Sequence, residues 1–295
     1  MSPKLETMLI GVDFTAPSLA SAAWVARTFA PEARIVLVHV LETSALRRFF
    51  SAQDAKAKAE DMRAEVSTRM EEMRTEFGAD RCKVVVTDGA PGMRLAEIAR
   101  EENASLISVG AYRETFAGGL LGSVVSRLLG ASTVPVLIAH GIPDGPPTRA
   151  LVAIDASDVG RDVLAWTRTL AETLHLEGQV LSAIEPPGIA VNTTLFSSDE
   201  EYQNARAKVI ERVRLGVREA ADEAGLAPGL FEAVAVYGRP ELEIALAAER
   251  MGANLLVLGT RGHGHGRALV VGSVSRRVIE ASSCPVLVVP PSSRR

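Results

Sequence analysis

The sequence predicts an α/β protein made of two tandem, doubly wound domains, each with a five-stranded parallel sheet. Short aliphatic runs alternate with helical patterns along the whole chain, and this alternation is typical of parallel sheets with right-handed crossovers. Aromatic residues make up only 4% of the chain, so its cores must be aliphatic, as in parallel sheets covered by helices. The length of 295 residues corresponds to about two domains of ordinary size.

An internal repeat supports the division into two halves. Trp24 and Trp166, the only tryptophans, are 142 positions apart, and segments around them match in the same order. The matching segments are 8–13 with 150–155, 106–110 with 255–259, and 134–138 with 284–288. A duplicated unit explains this pattern. The turn-rich stretch 141–147 joins the copies, so the sequence predicts domains over 1–143 and 147–295.

Each half is predicted to alternate strands and helices and to end on a fifth strand. In the first half the strands are short apolar or β-branched runs, and the helices carry apolar residues at helical spacing. The predicted strands are 8–12, 34–40, 83–87, 106–110 and 134–139, and the predicted helices are 18–29, Ala52–Phe77, 93–102 and 123–130. In the second half the long helix is predicted over 199–224 and the last strand over 285–289. The long first-half helix is predicted to turn one apolar stripe to the core, formed by Met62, Val66, Met70 and Met73.

Composition excludes several classes of protein. The chain has 32 Lys and Arg against 36 Asp and Glu, and this net charge of −4 argues against a nonspecific nucleic-acid binder. No run of 18 apolar residues predicts a membrane span, and the N-terminus lacks the pattern of a secretory signal. Two cysteines, Cys82 and Cys284, cannot form a disulfide framework and are predicted to be small core residues, which favours a cytoplasmic location.

A glycine-rich loop in the second half predicts an anion site. Gly259 ends an apolar strand, Gly262 follows within the loop, and Gly272 with Ser273 opens a helix. The free N–H groups and the dipole of a helix N-terminus favour an anion, and a glycine lets a phosphate approach the backbone closely. Further predicted contacts are the hydroxyl of Ser275, the first-turn residue Val274, and the charge of Arg261 or Arg267. The spacing fits neither a Walker loop, since no Gly-Lys pair occurs, nor a dinucleotide fingerprint.

With this loop the sequence resembles the universal stress protein family. ATP-binding members of that family carry Gly-x2-Gly-x9-Gly-(Ser/Thr) after the fourth strand, and the second half keeps every spacing. The resemblance covers both halves and implies two adenine nucleotide alpha hydrolase-like domains. It also implies an ATP site, with Mg²⁺ held through the phosphates. The further contacts that it implies are Asp155 near the ribose and adenine, Ile184 through its backbone, and Ala156 with Ser157.

The first half departs from the family pattern. Gly110 is followed by Arg113 in place of the second glycine, and eight residues rather than nine precede Gly122. Ser123, Asp13 and Val40 remain as the other residues of a weaker second site, which is predicted to bind a different ligand or to serve as a scaffold.

Three functions of different classes follow from these observations. The first is an ATP-binding regulatory module, the second is a slow ATPase, and the third is a scaffold that binds no nucleotide. Asp13 and Asp155 are potential general bases, although ribose binding and strand-end capping are the simpler interpretation. His263 and His265 are too few for a structural zinc site.

Each half ends on a strand that should lie at a sheet edge, and such edges need covering. In the resembled family these edges pair across a dimer. The tandem chain is therefore predicted to form an internal pseudo-dimer through 134–139 and 285–289, and further to form a homodimer.

Overall fold

The computed structural model describes residues 4–29, 31–43, 49–110, 121–155, 158–186, 198–260 and 271–292. In the first half the elements are β1 Thr7–Gly11, α1 Ala16–Trp24, β2 Arg34–Leu41, α2 Ala52–Phe77, β3 Cys82–Asp88, α3 Pro91–Glu101, β4 Leu106–Gly110, α4 Ser123–Ala131 and β5 Val136–Ala139. In the second half they are β6 Arg149–Ala153, α5 Asp158–Leu174, β7 Glu177–Ile184, α6 Asp199–Glu223, β8 Phe231–Tyr237, α7 Pro240–Met251, β9 Leu255–Gly259, α8 Ser273–Ala281 and β10 Val286–Val289.

Local sequence signals set where several of these helices begin. Thr15, Ser51 and Ser198 precede α1, α2 and α6, and each side chain accepts a hydrogen bond from an N–H of the first turn. Pro91 and Pro240 occupy the first turns of α3 and α7, where a missing N–H does no harm.

The ten strands form one continuous sheet in the order β3-β2-β1-β4-β5-β10-β9-β6-β7-β8. Within each half all the strands are parallel, which confirms the doubly wound α/β fold predicted from the alternation of strands and helices. The halves meet where β5 and β10 pair antiparallel, with Leu137 opposite Leu287. The internal pairing of the two last strands therefore occurs as the sequence predicts.

Helices cover both faces of this sheet. One face carries α1, α2, α5 and α6, and the other carries α3, α4, α7 and α8, with a separate apolar core under each layer. Trp24 and Trp166 are both buried under the first layer. The indole N–H of Trp24 also donates to the carbonyl of Gly145 at 2.9 Å, so this side chain fixes the segment between the halves.

Two predictions about the helices of the first half need correction. The predicted helix over 18–29 consists of α1 followed by a π-helical turn, Val25–Phe29. In this turn the carbonyl of Ala26 accepts a hydrogen bond from Arg81 at 2.9 Å. Of the predicted apolar stripe, Met70 and Met73 are buried and Val66 is half-buried, whereas Met62 is exposed.

Candidate functional site

The glycine motif of the second half lies between the end of β9 and the start of α8. The N–H of Gly272 donates to the carbonyl of Thr260 at 2.8 Å, and the N–H of Thr260 donates to Val289 at 2.9 Å. These two bonds hold the ends of the loop together against β10. Gly272 is the N-cap of α8 and has no side chain to cap the helix. The N–H groups of the first turn therefore lack a capping side chain, as an anion site requires.

Glycine at position 272 is not required by the backbone. Its φ of −59° and ψ of 151° lie in the extended region that any residue adopts. Without a Cβ, Gly272 leaves its backbone accessible to the close approach of a ligand. Next to it, the hydroxyl of Thr260 is buried and has no hydrogen-bond partner among the described residues.

The two serines of the first turn have different surroundings. Ser273 is exposed at the start of α8, where its hydroxyl is accessible to a ligand. Ser275 is buried, and its hydroxyl donates to the carbonyl of Gly259 at 2.7 Å. In this arrangement the proton of the Ser275 hydroxyl ties α8 to β9, and the predicted contact of Ser275 with a phosphate stays a prediction. Val274, between them, is half-buried against the core below α7 and α8.

Ion pairs fix α8 to its neighbour. The carboxylate of Glu241, on α7, accepts from Arg277 of α8 at 2.7 Å and from Arg239 at 2.6 Å. The backbone N–H of Glu241 and these guanidinium groups hold the pKa of its carboxyl below the usual value. The helix that would present its N-terminus to an anion is thus held in place from the side.

The remaining predicted residues end neighbouring strands at the same edge of the sheet. Asp155 follows β6, Ile184 ends β7, and Gly259 ends β9, with β6 between the other two strands. The carbonyl of Ile184 accepts from the N–H of Gly238 at 3.0 Å. The strand order reverses between β6 and β9, and ligands of doubly wound sheets bind at such a point. Ala156, Ser157, Arg261, Gly262, His263, His265 and Arg267 lie outside the described residues.

In the first half, the counterparts of Asp155 and Gly259 are Asp13 and Gly110, and both make contacts within the protein. Oδ1 of Asp13 accepts from the N–H of Thr15 at 3.0 Å and from its hydroxyl at 2.6 Å, so this carboxylate shapes the turn before α1. A Cβ added to Gly110 would lie 2.7 Å from Cα of Ser18, so the close approach of α1 already requires this glycine. Arg113 lies outside the described residues.

The start of α4 keeps one part of the pattern and loses another. Gly122 is the N-cap, no described atom lies within 4 Å of where its Cβ would be, and the following Ser123 is exposed. Val125 occupies the position of Ser275 and is buried. The first half therefore has no hydroxyl there to tie its helix to β4.

Strand register corrects one residue of the weaker site. Leu41 pairs with Asp88 and its carbonyl accepts from Gly89, just as Ile184 pairs with Tyr237 and accepts from Gly238. The counterpart of Ile184 is therefore Leu41, and Val40, which the sequence predicted, lies one position earlier.

Sequence reasoning missed an aromatic cluster in the first half. Phe14, directly after Asp13, has a φ of 62°, and the centre of its ring lies 5.0 Å from that of His39. The guanidinium carbon of Arg69, on α2, lies 4.0 Å from the centre of the same ring. No motif contains these residues, and only comparison with the other half could have singled them out.

Neither cysteine belongs to the site. Both are buried free thiols, and burial raises the pKa of Cys82 to about 11 and also raises the pKa of Cys284. Both are therefore poor nucleophiles, in agreement with the prediction that they are core residues. Among the described residues, no group of three or more His, Cys, Asp or Glu side chains could hold a metal ion. No described helix is long and apolar enough to cross a membrane.

Comparison with known proteins defines the class. The model of the universal stress protein family matches twice, over residues 4–140 and 147–290. The chain therefore belongs to the universal stress protein family, as a tandem member with two such domains.

Individual relatives agree with the tandem arrangement. A universal stress protein of Mycobacterium tuberculosis is 27% identical over 303 aligned positions, which cover 97% of both chains. One from Methanocaldococcus jannaschii is 38% identical over 148 positions, covering 48% of this chain and 81% of its own. A solved universal stress protein structure from Archaeoglobus fulgidus has a TM-score of 0.67 at 21% identity, and the match covers 99% of this chain and 98% of that one. This structural likeness concerns the fold.

Proposed function

We propose that the protein is an ATP-binding regulatory module with its nucleotide site in the second half. The observation that carries this proposal is the start of α8. Its N-cap, Gly272, has no side chain to cap the helix, and the backbone angles of Gly272 do not require a glycine. The buried hydroxyl of Thr260, which has no hydrogen-bond partner among the described residues, would supply a further donor beside it. In this proposal Asp155 and the backbone of Ile184 contact the nucleoside, while Gly259, Gly272 and Ser273 contact the phosphates.

The proposal gives the first half a different role. Its Asp13 and Gly110 are accounted for by contacts within the protein, so it acts as a scaffold and not as a second ATP site. Mg²⁺ binds together with ATP through phosphate oxygens and water, which needs no cluster of protein ligands. A cytoplasmic location and a homodimer are parts of the same proposal.

The test is to identify and count the bound nucleotide. Purified protein is denatured and the released nucleotide is identified, and the emptied protein is then titrated with ATP by calorimetry. We expect one ATP per chain. Phosphate release is measured with and without Mg²⁺, and turnover above about 1 per second, a usual lower bound for enzymes, would favour an ATPase instead.

Two matched glycine variants locate the site. Gly272→Val is expected to abolish ATP binding, because the side chain would occupy the place of a phosphate while valine adopts the same backbone angles. Gly122→Val is the control, since Gly122 is also an N-cap in an extended conformation and has open space around it. It should bind ATP as the parent does. Undiminished affinity in Gly272→Val would contradict the proposed site.

A further inference from the structure

The ring of Phe14 lies at the carboxyl ends of β1 and β2, beneath α2. It packs against the apolar core that includes Met70 and Met73, with His39 on β2 beside it and the guanidinium of Arg69 above it. A guanidinium 4.0 Å from a ring centroid is a close cation–π contact. The ring of Phe14 is thus bordered by the apolar core on one side, by His39 on another and by the guanidinium of Arg69 above it.

The backbone of Phe14 is strained where it holds this ring. Its φ of 62° is uncommon for a residue other than glycine and unusual for one with a bulky side chain. Such conformations persist only where the surroundings enforce them, and they concentrate at ligand sites. The chain therefore places an aromatic ring here in spite of an unfavourable local conformation.

The second half replaces every member of the cluster with a small residue. Strand register equates His39 with Ser182, and the offset of β1 to β6 equates Phe14 with Ala156. The long helices begin after Ser51 and Ser198 and are followed by the positive-φ glycines Gly78 and Gly225, both pairs 147 positions apart. This alignment equates Arg69 with Gly216.

Gly216 leaves its position on α6 without a side chain. It is exposed inside the helix, where glycine is unfavourable, and no described atom lies within 4 Å of where its Cβ would be. The half with the intact glycine motif thus lacks the three bulky side chains, whereas the half with the altered motif has all three.

From this contrast we propose that Phe14 is an internal plug that fills a subsite for a purine base in the first half. The ligand class rests on the proposed function, because a base is the planar ring that the open half would take. Nδ1 of His39 lies 2.7 Å from the carbonyl of Val12, which can only accept, so Nδ1 carries a proton. In the neutral ring Nε2 is then an acceptor, suited to the exocyclic amino group of adenine. Arg69 would stack on the base as it stacks on Phe14.

Removal of the ring tests the plug. Phe14→Gly empties the subsite and relieves the backbone strain, since glycine adopts positive φ freely. Adenosine is the probe because it needs no phosphate cradle, and equilibrium dialysis counts the molecules bound per chain. We expect two adenosines per chain in Phe14→Gly and one in the parent. Phe14→Leu keeps an apolar side chain in place and should also bind one.

The NMR signals of methionine methyl groups show in which half adenosine binds. Six of the seven methionines belong to the first half, and Met70 and Met73 are buried in the core against which Phe14 packs. With ¹³C-methyl-methionine, adenosine bound in the first half should shift the Met70 and Met73 signals of Phe14→Gly more than those of the parent at equal ligand concentration, because Phe14 packs against the core that contains both methionines. Phe14→Asn serves as a second opened variant, since asparagine also tolerates this conformation.

The outcomes separate the plug from the proposed ATP site. A folded Phe14→Gly or Phe14→Asn protein whose Met70 and Met73 signals do not respond would overturn the plug, and so would an equal response in the parent. Failure of the parent to bind any adenosine or ATP would instead contradict the second-half site. A response of the Met70 and Met73 signals in the opened variants would support the plug even in that case.

Discussion

Ser273 and Ser275 lie two positions apart in the first turn of α8. Replacing Ser273 with alanine is expected to affect ATP binding, whereas replacing Ser275 is expected to affect stability. Ser273→Ala removes an exposed hydroxyl from the proposed phosphate site, so it should weaken ATP binding by about tenfold and leave stability unchanged. Ser275→Ala leaves the carbonyl of Gly259 without its donor. It should lower the free energy of unfolding by about 1 kcal/mol.

Calorimetric titration with ATP and urea unfolding of both variants measure the two effects side by side. The first half offers a natural reference, because it has the apolar Val125 in place of Ser275. An unchanged urea midpoint in Ser275→Ala would contradict the structural role of its hydroxyl.

At the scale of single elements, the helix α6 contains one glycine whose replacement should stabilise the protein. Gly216 lies in the interior of α6 with open space around it, so Gly216→Ala should raise the free energy of unfolding by about 0.5–1 kcal/mol. Urea unfolding measures this change.

A second helical glycine, Gly160, provides a matched control for which the expected change in stability has the opposite sign. A Cβ added to Gly160, near the start of α5, would lie 2.5 Å from the carbonyl oxygen of Asp155. Gly160→Ala should therefore destabilise the protein. A loss of stability in Gly216→Ala would mean that its surroundings are more crowded than this structure has them.

Sequence periodicity predicted most elements, and its failures have identifiable causes. The bounds of Ala52–Phe77 were predicted from the local pattern, because a long amphipathic helix with a serine cap encodes its own limits. The π-helical turn Val25–Phe29 was missed because Arg81, more than fifty residues away, donates to its carbonyl at Ala26. Periodicity within a segment carries no information about such distant partners.

The candidate site was predictable only in part, for the same physical reason. A spacing motif indicates where the chain leaves room for a ligand, and on that basis it predicts Gly272 and Ser273. It does not record what fills a space, so Phe14 was missed. The engagement of Ser275 with Gly259 was missed as well, since it depends on the approach of α8 to β9 in three dimensions.

At the scale of the whole molecule, α8 connects the two halves. Its first turn belongs to the proposed ATP site, and near its other end the carboxylate of Glu280 accepts from the backbone N–H of Leu121, just before α4, at 2.7 Å. Arg276 donates to the same carboxylate at 2.9 Å and orients it. The position equivalent to Glu280 in α4 is Gly130, so α4 has no carboxylate at this position.

Loss of the hydrogen bond from Leu121 to Glu280 should weaken the protection of Leu121 and the first turn of α4 from hydrogen exchange. Glu280→Ala is expected to increase amide hydrogen exchange at Leu121 and the first turn of α4 by roughly 10- to 100-fold, because a hydrogen bond to a charged acceptor is lost. Exchange is followed by NMR or mass spectrometry. Glu280→Gln keeps an acceptor and should change exchange less. Equal exchange in all three proteins would show that α8 does not restrain this segment.

The antiparallel pairing of β5 with β10 has a consequence for how the protein could evolve. In a dimer of identical chains every mutation appears at both sites, so a residue that closed one site would close the other. Here the two paired units are encoded separately and remain joined in a fixed one-to-one ratio. A phenylalanine could therefore enter one copy at position 14 while position 156 of the other copy stayed alanine. Covalent linkage released the two copies from the symmetry that a homodimer imposes.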